Sequence, residues 1–247
     1  MAADPSQKPV SQFYRPEITN LPALTPWRLA FRRLCHWVGW LLVHLLTKPT
    51  VRGLENFPRK GPCILVSNHL GDTDVVVGLA FFAVMPDFFG KAELYSFPIL
   101  GWIMRLYGTI WIHRGQPDRR AIRAALLGLT QGRIIALAPE GRESVTGALE
   151  EGTNGAAYLA LKANVPIVPI ALTGTENRNV FSNLKRLRRP SVSMTVGQVF
   201  SLNVVEGDFQ QALQQGTQEI MTSLASLLPE EYQGVYRAKT NKKEIVL

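Results

Sequence analysis

The apolar residues of this chain follow two different periods. Between residues 27 and 48 they recur at steps of three and four, which predicts an amphipathic helix. Thr25-Pro26 supplies the capping residue and the first-turn proline with which such a helix begins. From residue 49 to 229, short β-rich runs alternate with helical patterns, which predicts an α/β domain with a mostly parallel central sheet flanked by helices. The apolar stripe of the first helix consists of Trp27, Phe31, Leu34, Val38, Leu41 and Leu45.

The individual elements can be placed from the same pattern. The β-rich runs cover residues 63–66, 88–89, 109–112, 134–137, 167–170 and 192–196. The helical patterns cover about 74–84, 98–107, 118–130, 154–163 and 208–228. Residues 1–26 contain five prolines and no apolar run, so we expect a mobile N-terminal arm or a strap that lies on the surface. Residues 230–247 form a basic C-terminal tail, and no repeat or linker indicates a second domain.

The first helix has features of a membrane-associating helix. Its apolar stretch is interrupted by His36 and His44 and is shorter than the roughly 20 apolar residues of a spanning helix. Tryptophans and arginines flank the stripe, as in helices that lie in the membrane interface with their cations toward the headgroups. The arginines and tryptophans concerned are Arg28, Arg32, Arg33, Trp27, Trp37 and Trp40. A terminal helix packed on the core is the alternative.

Charge and cysteine content narrow the possible partners and compartment. The net charge of +8 favours an anionic partner, which could be a phospholipid surface, a phosphate-bearing substrate or nucleic acid. No nucleic-acid-binding motif is present, so we expect no nucleic-acid partner. Cys35 and Cys63 provide neither a disulfide framework nor a zinc-ligand set, which indicates a reducing compartment. We therefore expect a peripheral or monotopic protein on the cytoplasmic face of a membrane.

Polar clusters follow three of the predicted strands. His69 comes after the run 63–66, Arg114 after 109–112, and Glu140, Gly141 and Arg142 after 134–137. Because sites in parallel α/β sheets form outside the carboxyl ends of the strands, we expect these clusters to converge on one crevice.

The first cluster suggests acid–base chemistry. His69 is followed by Asp74 through a glycine-containing turn, and a His–Asp pair is two-thirds of a serine-hydrolase triad. The chain has no G-x-S-x-G nucleophile elbow, so the nucleophile could be a hydroxyl of the substrate that His69 deprotonates. Three alternatives remain: a structural histidine, helix capping by Asp72 or Asp74, and a D-x-D metal site.

The other clusters suggest anion binding. An arginine just past a buried strand, as at Arg114, can hold a phosphate through two parallel hydrogen bonds, although a surface ion pair is the alternative. The basic segment from Lys185 to Arg189 could attract anionic lipid or the phosphates of coenzyme A, or it could be a solvated loop.

These residues, in this order, resemble the 1-acylglycerol-3-phosphate acyltransferase family of glycerolipid acyltransferases. The resemblance covers about residues 50–175 and rests on four ordered blocks. Asn68-His69 with Asp74 matches N-H-x4-D, and Gly108 to Arg114 matches G-x-I-F-I-x-R. Ala138 to Ser144 matches F-P-E-G-T-R-S, and Val165 to Ile170 matches V-P-I-V-P.

The resemblance implies an activity and a set of roles. The donor would be acyl-CoA or acyl-carrier protein, and the acceptor would be lysophosphatidate, which becomes phosphatidate in phospholipid biosynthesis. His69 would be the base and Asp74 its partner. Arg114, with Arg142 as a possible second cation, would hold the acceptor phosphate at the membrane surface, while Glu140 and Gly141 would bind the acceptor. No metal or cofactor is implied.

Several positions depart from the family pattern, all on the acceptor side. Arg142 comes one place early, and Glu143 occupies the usual arginine position. His113 stands where an acid or amide is common, and Glu150 stands where a lysine is usual. Glycerol 3-phosphate or another lysolipid as acceptor, a thioesterase or lipase, and a non-catalytic lipid-binding module therefore remain as alternatives.

Overall fold

The protein has a seven-stranded sheet with helices on both faces. The computed structural model describes residues 14–115, 117–203 and 208–237. The strands are β1 (Lys48–Arg52), β2 (Cys63–Ser67), β3 (Asp87–Lys91), β4 (Ile110–Ile112), β5 (Ile134–Leu137), β6 (Ile167–Thr173) and β7 (Ser191–Val196). The helices are α1 (Pro26–Leu46), α2 (Thr73–Phe81), α3 (Leu100–Tyr107), α4 (Arg119–Thr130), α5 (Gly155–Ala163), α6 (Asn177–Lys185) and α7 (Phe209–Leu227).

The sheet has the strand order β1-β7-β6-β2-β5-β3-β4. All neighbouring strands are parallel except β6 and β7, which are antiparallel. The prediction of a mostly parallel sheet flanked by helices is therefore confirmed. Because β2 lies between β5 and β6 at the centre, its carboxyl end is surrounded by the loops of its neighbours.

Each face of the sheet has its own core. Helices α4, α5 and α7 cover one face, where Ala125, Ala157 and Leu224 are fully buried. Helices α1 and α2 cover the other face, through Val43 and Val77. Because buried side chains pack closely on both faces of the sheet, the distances between the strand ends are fixed.

Two elements of the structure were not predicted from the sequence, and others are longer than predicted. Strand β1 and helix α6 had no counterpart among the predicted elements. Strand β6 runs three residues beyond the predicted end, and a 3-10 turn at Ala92–Ser96 precedes α3. Helix α1 begins at Pro26, with the Thr25 hydroxyl accepting a hydrogen bond from Arg28 N–H at 3.3 Å, as predicted. It ends at Leu46 because Lys48 already pairs in β1.

The predicted N-terminal arm and C-terminal tail are partly ordered. Residues 1–13 and 238–247 lie outside the described residues. Residues 14–25, however, form a strap that lies on the domain: Arg133 donates to Pro22 O and Arg120 donates to Pro16 O. At the other end, Tyr236 is buried. Of the two expectations for the N-terminal segment, residues 14–25 therefore match the surface strap and not the mobile arm, and the domain continues past residue 229.

The orientation of α1 corrects one part of the sequence interpretation. Arg32 does not point toward a headgroup; it is 2% exposed and forms an ion pair with the buried Asp87 at 2.5 Å. It also donates to Tyr107 O at 2.9 Å. The apolar stripe faces outward instead. Trp27, Leu34, Val38, Leu41 and Leu45 are all more than 45% exposed.

The inward position of Arg32 and the outward position of the apolar stripe have an electrostatic cause. A buried carboxylate needs a cation close by, and Asp87 finds one in Arg32 and a second in Arg133 at 3.5 Å. The ion pair therefore holds α1 with its arginine inward and its apolar stripe outward.

We expect Asp87→Asn to lower the free energy of unfolding by about 3 kcal/mol, because it leaves two arginines without their buried partner. The matched control is Glu230→Gln, which removes the exposed partner of Arg237 and should cost less than about 1 kcal/mol. Urea unfolding of both variants measures the difference. Equal losses would contradict a structural role for the buried pair.

Candidate active site

The loop after β2 is held by a side chain that forms the hydrogen bonds a further strand residue would form. The ladder between β2 and β6 ends at Ser67 paired with Ile170. Asn68 continues it: its amide donates to Leu172 O and accepts from Leu172 N–H, both at 2.8 Å. The buried Asn68 therefore sets the point from which His69 leaves the sheet. No periodic pattern of residues indicates this role of Asn68.

His69 and Asp74 form the predicted pair. Nδ1 of His69 donates to Oδ2 of Asp74 at 2.7 Å, and the same oxygen accepts from Leu70 N–H at 2.7 Å and Gly71 N–H at 3.0 Å. A carboxylate that accepts from Nδ1–H leaves Nε2 unprotonated, in the tautomer of a general base. Asp74 is 6% exposed and His69 is 20% exposed, so the pair is sheltered but reachable.

A glycine is required in this turn. A Cβ atom at Gly71 would lie 2.8 Å from Thr175 O and from the Asn177 side chain. Asn177 in turn accepts from Asp72 N–H at 3.0 Å. The loop that carries the His–Asp pair is thereby packed against the segment joining β6 to α6.

Glu140 holds the backbone of His69. Its carboxylate accepts from His69 N–H at 3.1 Å and from Glu150 N–H at 2.8 Å, and the side chain is 1% exposed. Burial raises the pKa of Glu140 to about 7, although the two backbone hydrogen bonds act to lower it. Ser144 N–H also donates to His69 O at 2.7 Å. This geometry favours a positioning role for Glu140 over the predicted contact with an acceptor.

A second pair with the same spacing lies at the end of β4. Nδ1 of His113 donates to Asp118 Oδ2 at 2.8 Å, and His113 N–H donates to the same oxygen at 3.0 Å. Asp118 also caps α4 through Arg120 and Ala121 N–H. Burial alone would raise the pKa of Asp118, but these hydrogen bonds together lower it. The sequence analysis missed this H-x4-D repeat, which its spacing could have revealed.

The two pairs differ at Nε2. In His113 this atom accepts from Arg15 N–H of the strap at 3.0 Å, and the side chain is 4% exposed. His113 therefore has no ring nitrogen left for a substrate. It instead bonds to Asp118, and this contact joins the two ends of the segment that carries Arg114.

Arg114 is placed as predicted, next to the His–Asp pair. It lines the same cavity as His69, and it makes no ion pair within 4 Å with a described carboxylate. Burial lowers the pKa of Arg114, while the charges of Glu93 and Glu143 raise it. A guanidinium that lines a cavity without a close ion pair is suited to hold an anionic ligand.

Arg142 does not share that position. Its Nε and Nη2 atoms contact Glu150 Oε2 at 2.7 and 2.6 Å, and both side chains are largely buried. The guanidinium of Arg142 is therefore engaged with Glu150 inside the loop, and Arg142 is not among the residues that line the cavity with Arg114. Arg142 and Glu150 are both departures from the family pattern, and the two departures pair with each other.

The site opens into one largely apolar cavity of about 220 Å³ at the carboxyl ends of the central strands. Of the six predicted site residues, His69, Asp74, Arg114 and Gly141 line it. Gly141 has a φ of +74°, which the tight turn requires. The apolar part of the lining includes Leu65, Val75, Phe82, Phe88, Phe89, Ile112, Leu137, Leu159 and Leu172. Such a cavity suits an aliphatic chain next to a polar end.

Within the three described stretches, no group of three or more His, Cys, Asp or Glu side chains is arranged to hold a metal ion. Asp72, the first acid of the possible D-x-D site, bonds to Asn177.

Comparison with known proteins gives consistent matches. A family model described as Acyltransferase matches residues 48–173, which is half of the chain. A 1-acyl-sn-glycerol-3-phosphate acyltransferase from Chlamydomonas reinhardtii is 30% identical over 233 residues, covering 89% of this chain and 67% of that protein. A Pseudomonas aeruginosa protein of the same name is 32% identical, covering 61% of this chain and 60% of that protein.

Two further matches bear on the acceptor and the fold. A lyso-ornithine lipid O-acyltransferase from Pseudomonas aeruginosa is 33% identical, covering 61% of this chain and 56% of that protein. The crystal structure of a 1-acyl-sn-glycerophosphate acyltransferase from Thermotoga maritima superposes with a TM-score of 0.61 at 22% identity. It covers 78% of this chain and 80% of that one, and shows the shared fold. The chain spans between 42% and 60% of the length of the first three curated relatives it matches.

We expect Arg142→Gln and Glu150→Gln to be coupled. Each should destabilise the loop by breaking the same partly buried pair, so the double variant should lose about 1 kcal/mol less than the sum of the single losses. Arg142→Lys keeps the charge without the two-pronged contact and should be intermediate. Urea unfolding of the wild type, the two Gln variants and the double variant measures the coupling. Additive losses of the free energy of unfolding would show that the pair does not support the loop.

Proposed function

The chain belongs to the acyltransferase family, and we propose that it transfers a fatty-acyl group to the free hydroxyl of a lysolipid. The proposed acceptor is 1-acyl-sn-glycerol 3-phosphate, with phosphatidate as the product in phospholipid biosynthesis. The proposed donor is acyl-CoA or acyl-carrier protein. The observation that carries the proposal is the 2.7 Å His69–Asp74 contact beside Arg114 in an apolar cavity.

The proposed mechanism is a single displacement. His69 Nε2 takes the proton from the acceptor hydroxyl as that oxygen attacks the thioester carbonyl. The tetrahedral intermediate then collapses, the C–S bond breaks, and His69 returns the proton to the leaving thiolate. Asp74 keeps Nδ1 protonated throughout and stabilises the positive imidazolium. Arg114 holds the acceptor phosphate, and Glu140 keeps the main chain of His69 in place.

We propose that this reaction takes place at a membrane surface. Helix α1 carries the outward apolar stripe and contacts α3, where Arg28 Nε donates to Leu106 O at 3.2 Å. The segment at the start of α3 adds Phe97, Ile99 and Trp102, each more than half exposed. Among the residues that the structure describes, no helix is long and apolar enough to cross a membrane. A peripheral or monotopic attachment on the cytoplasmic face is therefore proposed, with no nucleic-acid partner.

A second acceptor class has a specific observation in its favour. Glu143 replaces the usual arginine, and its charge together with that of Glu93 acts on Arg114. A guanidinium that feels the charges of two carboxylates suits a headgroup that carries both a positive and a negative charge. A lyso-ornithine lipid acyltransferase is among the relatives. Glycerol 3-phosphate has no acyl chain for the apolar cavity and is less favoured.

The base is tested with two histidines of equal spacing. We expect His69→Gln to lower kcat by about 10³-fold, because it removes the imidazole that takes the hydroxyl proton. His113→Gln should retain most of its turnover, since His113 does not reach the substrate. The measurement is transfer from labelled acyl-CoA to lysophosphatidate in mixed micelles, on protein shown to be folded. Equal effects of the two variants would refute His69 as the base.

The acceptor is tested through Arg114. We expect Arg114→Gln to raise KM for lysophosphatidate by roughly tenfold to a hundredfold, because it removes charged hydrogen bonds to the phosphate. KM for the acyl donor should be unchanged, and Arg114→Lys should lose less. The same assay with lyso-ornithine lipid separates the two acceptor classes. A wild-type enzyme that prefers the zwitterionic acceptor would contradict the phosphate assignment.

A further inference from the structure

The turn that ends α6 presents an apolar side chain to the outside. Leu187 is 96% exposed and has a φ of +54°, in the left-handed region that favours glycine. Its N–H donates to Leu184 O and the next N–H donates to Asn183 O, both at 2.9 Å. This is the hydrogen-bond pattern of a helix end that glycine normally occupies. The fold thus keeps a strained, fully exposed leucine where glycine would fit without strain, which points to a function for the side chain.

The residues around Leu187 are all basic. Lys185, Arg186, Arg188 and Arg189 flank it, and each is exposed. The sequence from residue 177 to 203 contains no Asp or Glu. Four cations around one apolar side chain complement a surface that is anionic outside and apolar within.

The same turn is attached to the end of α1. Arg189 Nε donates to Thr47 O at 2.9 Å, and Nη2 donates to His44 O at 2.6 Å. The last turn of α1 carries Leu45, which is 62% exposed. The basic turn therefore continues the outward apolar stripe at its C-terminal end.

We propose that residues 185–189 form a membrane-inserting tip, in which Leu187 enters the acyl region of an anionic bilayer, Lys185, Arg186 and Arg188 contact lipid phosphates, and Arg189 attaches the tip to α1. The proposal deepens the proposed function and rests on its membrane attachment. The outward stripe of α1 is the first membrane contact, and the turn adds a second contact at the C-terminal end of α1. The turn lies beyond residues 48–173, which match the family model. With α1 held at both ends, the stripe would lie flat on the bilayer.

The first experiment compares Leu187→Gly and Leu187→Asn with wild type. Both residues accept a positive φ, so the turn should form and the melting temperature should be unchanged or higher. Binding to vesicles of phosphatidylcholine with phosphatidylglycerol, measured by co-sedimentation, should fall by about tenfold, since one buried leucine side chain is lost. The matched control is Val235→Asn, which removes another exposed apolar side chain and should bind as wild type.

The second experiment reports insertion directly. An environment-sensitive fluorophore is attached to Leu187→Cys in a Cys35→Ala background, where the remaining Cys63 is buried. Emission should shift to the blue on anionic vesicles and not on pure phosphatidylcholine. The control label is placed at Gln214→Cys, exposed on α7 on the opposite face of the sheet, and its emission should not shift.

The outcomes separate this proposal from the function it rests on. If the Leu187 variants bind vesicles as wild type while Val38→Gln in the α1 stripe loses binding, the tip is refuted and membrane attachment through α1 stands. If the Leu187 variants instead raise KM for a short-chain acyl-CoA in the absence of vesicles, the turn serves the donor phosphates and the proposal is overturned. Vesicle binding does not depend on catalysis, so absent acyl transfer would refute only the proposed activity.

Discussion

One oxygen atom of Asp74 organises the catalytic edge of the sheet. It accepts from the His69 ring and from two main-chain N–H groups, so the loop after β2 can close in only one way. That closure selects the imidazole tautomer, and the tautomer determines which nitrogen can act as a base. Asp118 repeats the arrangement with His113, but the strap occupies Nε2 there. The two His–Asp pairs therefore differ in whether Nε2 of the histidine is occupied by a main-chain N–H group.

The loop after β5 supports this edge from the other side. Glu140 and Ser144 hold the main chain of His69, and the ion pair between Arg142 and Glu150 stiffens the loop that carries them. The departures from the family pattern therefore strengthen the frame of the site and leave Arg114 as the cation of the cavity. Outside the cavity, the Arg32–Asp87 pair turns the apolar stripe of α1 outward, which connects the placement of the site to the proposed membrane surface.

The core and the His–Asp pair could be predicted because both leave a local signal. Strands β2, β5 and β6 are continuous apolar runs, and His69 and Asp74 are five positions apart. Strand β1 was missed because the edge sequence from Lys48 to Arg52 alternates in burial and contains a proline, and α6 was missed because only Val180 is buried. The roles of Arg32, Asn68 and Glu140 depend on partners 55 to 104 positions away, which no local pattern encodes.

The central claim is that the acceptor hydroxyl, and no group of the protein, attacks the thioester. Mixing the enzyme with acyl-CoA, and adding lysophosphatidate only afterwards, tests it by the time course of thiol release. We expect no thiol release until the acceptor is added, and then one thiol for each phosphatidate formed. A burst of about one thiol per enzyme before the acceptor, as covalent acyl-enzymes give, would contradict it. Continuous release without any acceptor would contradict it as well, because the enzyme would then be a hydrolase.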